Sequence, residues 1–275
     1  QNILLVQKPQ DNRVARTLEH LISHIQETYP STTLFHEPPS SHHPLPPSTS
    51  VFEPRSTSKP RIDLVVTLGG DGTILHASSL FNNDPVPPVL SFSLGTLGFL
   101  LPFDINSLES ALAEVMAGHM SILPRMRLSC KIRNIDGTVR ATSDGSWEVM
   151  NEVSLHRGTS PHLTSVDAYV DGQHLTAAVS DGLIISTPTG STAYSLSSGG
   201  PIVHPSVKAL LLTPVAPLSL SFRPLVLPGW SRISYAYMNA SSRTSACVSM
   251  DGRQAGVLSP GESVDVEASQ HPIPA

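Results

Sequence analysis

The hydrophobic positions follow two grammars along the chain. Residues 2–6 (Asn-Ile-Leu-Leu-Val) are a continuous apolar run that predicts a short buried strand. Val14, Leu18, Leu21, Ile22 and Ile25 follow at helical spacing and predict a helix with one apolar stripe. Ile62–Leu68 and Val89–Ser93 are runs of the kind that parallel strands buried on both faces require. The first stops at Gly69-Gly70-Asp71-Gly72-Thr73, the second at Gly95-Thr96-Leu97-Gly98-Phe99. Ile74–Phe81 predicts a short helix between them, and Ser107 is placed to cap another that Gly118 ends. Residues 1–120 are therefore expected to form an α/β domain with an open, mostly parallel sheet. Ligands of such sheets sit at the carboxyl ends of the strands.

From about residue 121 the pattern shifts. Arg127–Asn134 and Thr138–Thr142 flank Asp136-Gly137, and Ser165–Val170 and Leu175–Ala178 flank Asp171-Gly172. Both arrangements are hairpin signals. Further strands are expected at Gly182–Ser186, Arg232–Met238 and Ala246–Met250, with only Thr192–Ser198 helical. Residues 121–275 thus predict a mostly β C-terminal domain. Between residues 30 and 60 stand eight prolines and seven serines with almost no apolar periodicity. That composition predicts a flexible loop without a packed element.

Composition narrows the function classes. Only 14% of the 275 residues are charged and the net charge is −5. Four lysines in all, Lys8, Lys59, Lys131 and Lys208, argue against a nucleic-acid binder that relies on positive charge. The longest apolar stretch, Leu210–Leu220, is broken by Pro214 and Pro217 and is too short to span a bilayer, so no membrane association is expected. Two cysteines, Cys130 and Cys247, exclude a disulfide scaffold and a four-thiolate zinc site. One disulfide or two buried thiols remain, the thiols fitting a reducing compartment. The chain begins at Gln1 without an initiator Met, so a trimmed chain is expected, any targeting segment lying upstream.

Several phosphate and metal chemistries are excluded by pattern. There is no Gly-x-x-x-x-Gly-Lys-Ser/Thr, no Gly-x-Gly-x-x-Gly at Gly70 or Gly95, no His-Glu-x-x-His and no Cys-x-x-Cys. What stands out is Gly69–Thr73 directly after a buried strand. Three glycines let the backbone turn sharply and bring N–H groups against phosphate oxygens. The carboxylate of Asp71 among them suits a base that takes a proton from an alcohol, or a magnesium contact. The alternative is a strand-to-helix turn with Asp71 as its cap. Asn151-Glu152, inside an apolar stretch, offers donors and acceptors for a ribose diol or a base edge, although a partly exposed strand end would look the same. The block Asp181–Pro201 runs from a strand through Thr187-Pro188-Thr189-Gly190-Ser191-Thr192 into a helix start. Hydroxyls of Thr189, Ser191 and Thr192 with the helix amides would make a neutral polar cradle. Tyr194 could stack on a base, and Gly199-Gly200 would allow close approach. A plain Ser/Thr-rich turn is the alternative.

These blocks resemble, in order and spacing, those of the NAD kinases: Gly69–Thr73, Leu94–Leu100, Asn151-Glu152, Asp181–Pro201 and the Leu212–Pro224 region. The likeness runs from about Ile62 to the C-terminus. His156-Arg157-Gly158 with Ser160-Pro161-His162-Leu163 looks like eukaryotic members, especially fungal mitochondrial ones. The resemblance implies transfer of the γ-phosphoryl group of ATP to the 2′-hydroxyl of the adenosine ribose of NAD or NADH. Asp71 would orient and deprotonate that hydroxyl. The backbone of Gly69, Gly70 and Gly72, with Thr73 beside them, would face phosphates. Asn151 and Glu152 would hold ribose or base edges, and Asp181 the other nucleoside half. Thr192, Ala193 and Tyr194 would form the adenine pocket with Ser197 nearby and Phe99 along its wall.

The same resemblance implies Mg2+ arriving with ATP, and a homodimer or homotetramer whose sites can straddle subunits. It also implies residence in the mitochondrial matrix, with the cytoplasm as the alternative. With no lysine near the motifs, neutralising charge is expected from the metal, from backbone amides, or from Arg157 or Arg223. The closing Val248–Arg253 resembles the family's last strand, but its Asp251-Gly252 is what any hairpin would show. Two rivals stand beside this reading. One is a lipid kinase of the same superfamily, acting on diacylglycerol or a sphingoid base. The other is a catalytically silent dinucleotide-binding protein.

Overall fold

The computed structural model describes residues 1–9, 11–38, 48–82, 84–94, 100, 103–141, 146–237 and 245–275. The chain divides into two compact units, one of residues 1–81, 85–124 and 273–275, the other of 82–84 and 125–272.

The first unit holds β1 (Asn2–Gln7), α1 (Asn12–Thr28), β2 (Thr33–His36), β3 (Ser50–Val51), β4 (Leu64–Gly69), α2 (Asp71–Ser79), β5 (Val89–Ser93), β6 (Phe103–Asp104) and α3 (Leu108–Met116). All six strands pair in parallel in the order β3-β2-β1-β4-β5-β6. The five apolar residues at helical spacing in α1, Val14 to Ile25, are all buried. They pack with Ile3, Leu5, Leu64, Val66 and Leu68 of the sheet and with Leu108 and Leu112 of α3. Each such side chain contributes roughly 1.5–3 kcal/mol of burial. Strand alternation turns the equally buried Leu4, Val6 and Val65 to the opposite face. Asp11 caps α1 by accepting the Arg13 N–H at 3.0 Å. Ser107, expected to cap α3, makes no such bond; its Oγ donates to Asp104 O at 2.7 Å. Asp104 instead caps the short 3-10 turn that precedes α3, accepting the Asn106 N–H at 2.9 Å.

The expectation of a loop without packed elements over 30–60 is corrected at both flanks. Thr33–His36 pairs with β1, burying Leu34, Phe35 and His36. Phe52 is fully buried, its ring centroid 5.9 Å from that of Phe81. Two aromatics and a leucine sufficed to anchor a segment whose prolines and serines dominate its composition.

The chain passes to the second unit at β7 (Pro124–Arg125) and returns at β20 (Ile273–Pro274). In chain order the second unit holds β8 (Leu128–Arg133), β9 (Trp147–Val149), β10 (Glu152–His156), β11 (Thr164–Val170), β12 (Gln173–Ser180), β13 (Gly182–Ser186), α4 (Tyr194–Ser197), β14 (Ala209–Val215), β15 (Leu225–Pro228), β16 (Ile233–Ala236), β17 (Ala246–Met250), β18 (Arg253–Leu258) and β19 (Ser263–Ala268). They form two antiparallel sheets, β15-β14-β13-β10-β17-β18 and β12-β11-β16-β19-β8-β9. Both contribute to one core, with Leu183, Ile185, Leu210 and Val248 from the first and Cys130, Val166, Tyr235 and Val264 from the second.

The Asp171-Gly172 hairpin joins β11 to β12 as expected. The Asp136-Gly137 turn also closes, Gly137 N–H donating to Asn134 O at 2.9 Å, but its second arm is no strand and touches β8 by a single bridge, Arg133 to Val139. On that edge of β8, β9 pairs with Leu128–Cys130 and the bridge at Arg133 lies beyond it. Arg127 is wholly buried, its Nε donating to His271 O at 2.6 Å with the Glu148 carboxylate 3.6 Å away. Removing either partner of such a pair costs about 3–5 kcal/mol. Both cysteines are free, Cys130 buried and Cys247 only half-buried, which corrects the expectation of two buried thiols. Among the described residues no helix is long and apolar enough to cross a membrane.

Candidate active site

In the first unit the strand order reverses direction between β1 and β4. A doubly wound sheet opens a crevice at the carboxyl ends of the two strands flanking that reversal. Here those ends carry Lys8 after β1 and Gly69–Thr73 after β4; Lys8 N–H donates to Leu68 O at 2.9 Å. Asp71 is the first residue of α2, and its Oδ1 accepts the Leu100 N–H at 3.3 Å. The cap position belongs to Gly70, whose N–H donates to Thr73 Oγ1 at 3.3 Å, so Asp71 is not the helix cap.

None of Gly69, Gly70 or Gly72 has a positive φ, so a sharp left-handed turn is not why glycine stands there. At Gly69 the reason is packing: a Cβ would fall 2.1 Å from Thr73 Oγ1. At Gly70 and Gly72 no described heavy atom lies within 4 Å of that position. Lys8 corrects the expectation that no lysine lies near the motifs. Its Cβ is 3.1 Å from where a Gly69 Cβ would be, and its Nζ lies 3.8 Å from Asp11 with the side chain 58% exposed. Sixty-one residues of sequence separate Lys8 from Gly69, and only the parallel pairing of β1 with β4 joins them. Phe99 and the rest of its glycine turn, residues 95–99, lie outside the described residues.

In the second unit Glu152 begins β10 with Asn151 just before it, and both are buried, 7% and 9% exposed. Asp251, at the turn between β17 and β18, accepts N–H bonds from Met150 (2.9 Å), Asn151 (2.7 Å) and Glu152 (3.2 Å). The Thr187–Tyr194 loop closes on the same corner. Thr187 N–H donates to Asn151 O at 2.9 Å and Thr187 Oγ1 to Met150 O at 2.6 Å. After these bonds, Asn151 Oδ1 and Glu152 Oε2 remain buried without a partner among the described residues. Buried polar atoms are rarely left so, and two adjacent ones point to a ligand. Burial, together with the Asp251 carboxylate, pushes Glu152 up to about 7, opposed by the Tyr194 backbone N–H. Burial raises Asp251 as well, despite its three N–H donors. Near neutral pH a carboxyl so placed can donate as well as accept a hydrogen bond.

Tyr194 stands 40% exposed at the start of α4, with Ser197 exposed one turn on and Thr192 and Ala193 half-buried before it. The expected cradle of hydroxyls is different. Ser191 Oγ donates to Pro188 O at 2.6 Å and accepts the Val203 N–H at 3.0 Å, while Thr192 Oγ1 donates to Thr189 O at 3.2 Å. These groups fold the loop.

Asp181 is elsewhere. β13 pairs Ser186 with Glu152 at one end and Gly182 with His156 at the other. Asp181 therefore lies beyond the far end of the strand, roughly 15 Å from the Asn-Glu corner. Its Oδ1 accepts from Arg157 Nε at 2.6 Å, so neither charge is an isolated phosphate contact. Arg223 is exposed. The residue that sequence reasoning passed over is Asp251, whose Asp-Gly pair reads as any hairpin. Among the described residues no cluster of three His, Cys, Asp or Glu side chains is arranged for a metal ion.

Comparison with known proteins matches both units. Residues 5–120 match the ATP-NAD kinase N-terminal domain and residues 150–275 the ATP-NAD kinase C-terminal domain. The chain is 46% identical over 265 residues to the mitochondrial NADH kinase pos5 of Schizosaccharomyces pombe, covering 96% of this chain and 67% of that protein. It is 44% identical over 245 residues to the mitochondrial NADH kinase POS5 of Saccharomyces cerevisiae, covering 85% of this chain and 58% of that one. The crystal structure of yeast NADH kinase complexed with NADH superposes with a TM-score of 0.88 at 38% identity, covering all of this chain and 82% of that one. An NAD kinase from Archaeoglobus fulgidus in complex with ATP shares the fold, with a TM-score of 0.73 over 99% of this chain and 92% of that one, at 23% identity. The chain belongs to the ATP-NAD kinase family, across both of that family's domains.

Proposed function

We propose that the protein transfers the γ-phosphoryl group of ATP to the 2′-hydroxyl of the adenosine ribose of NAD or NADH, giving NADP or NADPH. The observation that carries this is the pair of buried, unpartnered acceptors, Asn151 Oδ1 and Glu152 Oε2, on the corner that the Thr187–Tyr194 loop closes. Such a corner suits a ribose diol or base edge, and the exposed Tyr194 ring beside it suits adenine. Asp71 is the base: it takes the hydroxyl proton as the oxygen bonds to the γ-phosphorus and the bond to ADP breaks. One of its oxygens is oriented by the Leu100 N–H, leaving the other for the substrate. The exposed backbone at Gly72 and the Lys8 ammonium supply a donor and charge for phosphate oxygens. Magnesium enters as the ATP complex and neutralises phosphate charge when bound.

NADH as an acceptor is supported by the names of the two fungal relatives and by the NADH in the yeast structure. Those relatives also support a mitochondrial location, the matrix being the compartment proposed. A homodimer or homotetramer is the assembly proposed, with Asp181 at the far end of β13 placed for the other nucleoside half. The lipid-kinase rival loses ground because the match over 150–275 is to the ATP-NAD kinase C-terminal domain. The test offers magnesium-ATP with NAD, NADH and micellar diacylglycerol in parallel. NADP or NADPH formation alone is expected; phosphorylated lipid, or dinucleotide binding without turnover, would replace the proposal with one of its rivals.

A further inference from the structure

Asp251 occupies the first position of a turn that hairpins of any function share, with φ of 47° followed by Gly252 at 74°. The Asp171-Gly172 turn between β11 and β12 has the same conformation, φ 51° and 80°. The two carboxylates nevertheless do different things. Asp171 accepts one backbone N–H across the sheet, from Arg232 at 2.8 Å. Asp251 reaches out of its own hairpin to bond three consecutive N–H groups, Met150, Asn151 and Glu152, using both oxygens, while its own N–H donates to Glu152 O at 3.0 Å. Three successive N–H groups converging on one carboxylate leave the intervening peptides little freedom.

Keeping a carboxylate buried beside another is unfavourable, and nothing in hairpin formation demands it. What the arrangement accomplishes is to fix the direction of two side chains that each carry one buried oxygen unpartnered among the described residues. Asn151 Oδ1 and Glu152 Oε2 are the buried unpartnered atoms, and both hang from the peptides that Asp251 holds. We infer that Asp251 is a positioning residue for the dinucleotide subsite, clamping the Met150–Glu152 backbone so that Asn151 and Glu152 are preorganised for the ligand. This rests on the proposed kinase reading and assigns a residue that would act on that reaction without touching either substrate. Preorganisation of this kind acts on affinity for the ligand held, and leaves the phosphoryl donor unaffected.

The test compares Asp251→Asn, Asp251→Ala and the turn control Asp171→Asn with the wild type, measuring kcat, KM for NADH, KM for ATP and thermal midpoint. Asn retains one acceptor oxygen and should recover part of what Ala loses. The expected result is a rise in KM for NADH of about tenfold for Asp251→Asn and more for Asp251→Ala. KM for ATP should stay within twofold, and Asp171→Asn should behave as wild type. The inference is overturned if Asp251→Asn keeps KM for NADH within twofold, if both KM values rise in parallel with loss of stability, or if Asp251→Asn fails to fold. A wild-type protein without turnover overturns the functional reading and this inference with it. Wild-type turnover with unchanged variants overturns the inference alone.

Discussion

Gly190 lies so close to Asn151 that a Cβ added to it would stand 2.1 Å from Asn151 O and 2.7 Å from Asn151 Cα. The contact is backbone against backbone, so no side chain can rotate away to relieve it. It explains why the loop after β13 carries glycine at a position where φ is unremarkable. The same contact seats the loop on the Asn-Glu corner, alongside the Thr187 N–H bond to Asn151 O.

Gly190→Ala must therefore push the loop off the corner. Overpacking of this kind costs about 1–3 kcal/mol, and the displaced Asn151 should lose ligand affinity as well. Chemical denaturation and NADH titration of the variant are expected to show both effects. Unchanged NADH affinity would mean that the loop does not set the corner's geometry.

Glu152 gives the protein a pH signature. Its carboxyl is held protonated up to about pH 7 when folded, against an ordinary value of 4.5. Between those values the folded chain binds more protons than the unfolded one, so stability falls as pH rises through the window and levels off above it. The interval bounds the effect of this one group at about 3 kcal/mol. Asp251, raised in the same direction, adds to the decline. Glu152→Gln mimics the protonated form and is expected to flatten the decline between pH 5.5 and 8 in urea melts. Equal slopes for variant and wild type would place the titration elsewhere.

Among the described residues the Lys8 ammonium pairs with Asp11, at 3.8 Å and largely in solvent, a pairing worth little to stability. Lys8→Met should leave the unfolding free energy within about 0.5 kcal/mol of wild type. If the ammonium serves phosphate oxygens, KM for ATP rises several-fold while KM for NADH holds. A variant with wild-type kinetics would leave Lys8 a surface lysine.

Much of this was legible in the chain. The five stripe residues of α1 are its buried face, and the two-sided apolar runs at Leu64 and Val89 are central parallel strands, because burial dictates both patterns directly. The Asp171-Gly172 hairpin followed from turn chemistry. What escaped notice depends on long-range pairing. β2 was hidden by the prolines and serines around it, although Leu34 and Phe35 are all the sheet needs. Asn151-Glu152 and Tyr194 stand out in the chain as polar and aromatic residues within apolar or hydroxyl-rich stretches, and the structure brings them to one corner. Asp251 does not stand out, since its distinguishing feature is the set of three N–H groups about one hundred residues away. Lys8 escaped for the same reason. The Ser191 and Thr192 hydroxyls misled in the other direction, because hydroxyl-rich turns look alike whether they bind a ligand or bind themselves.

The central claim is that Asp71 deprotonates the ribose hydroxyl in a transfer from ATP to NAD(H). Its most direct test is NADP(H) formation from magnesium-ATP and NADH by the wild type and Asp71→Asn, with NADH binding measured alongside. Asn preserves the shape and the bond from the Leu100 N–H but cannot take the proton. A loss in kcat of about 10²–10⁴-fold, with NADH affinity unchanged, is predicted. Turnover by Asp71→Asn at the wild-type rate would contradict it.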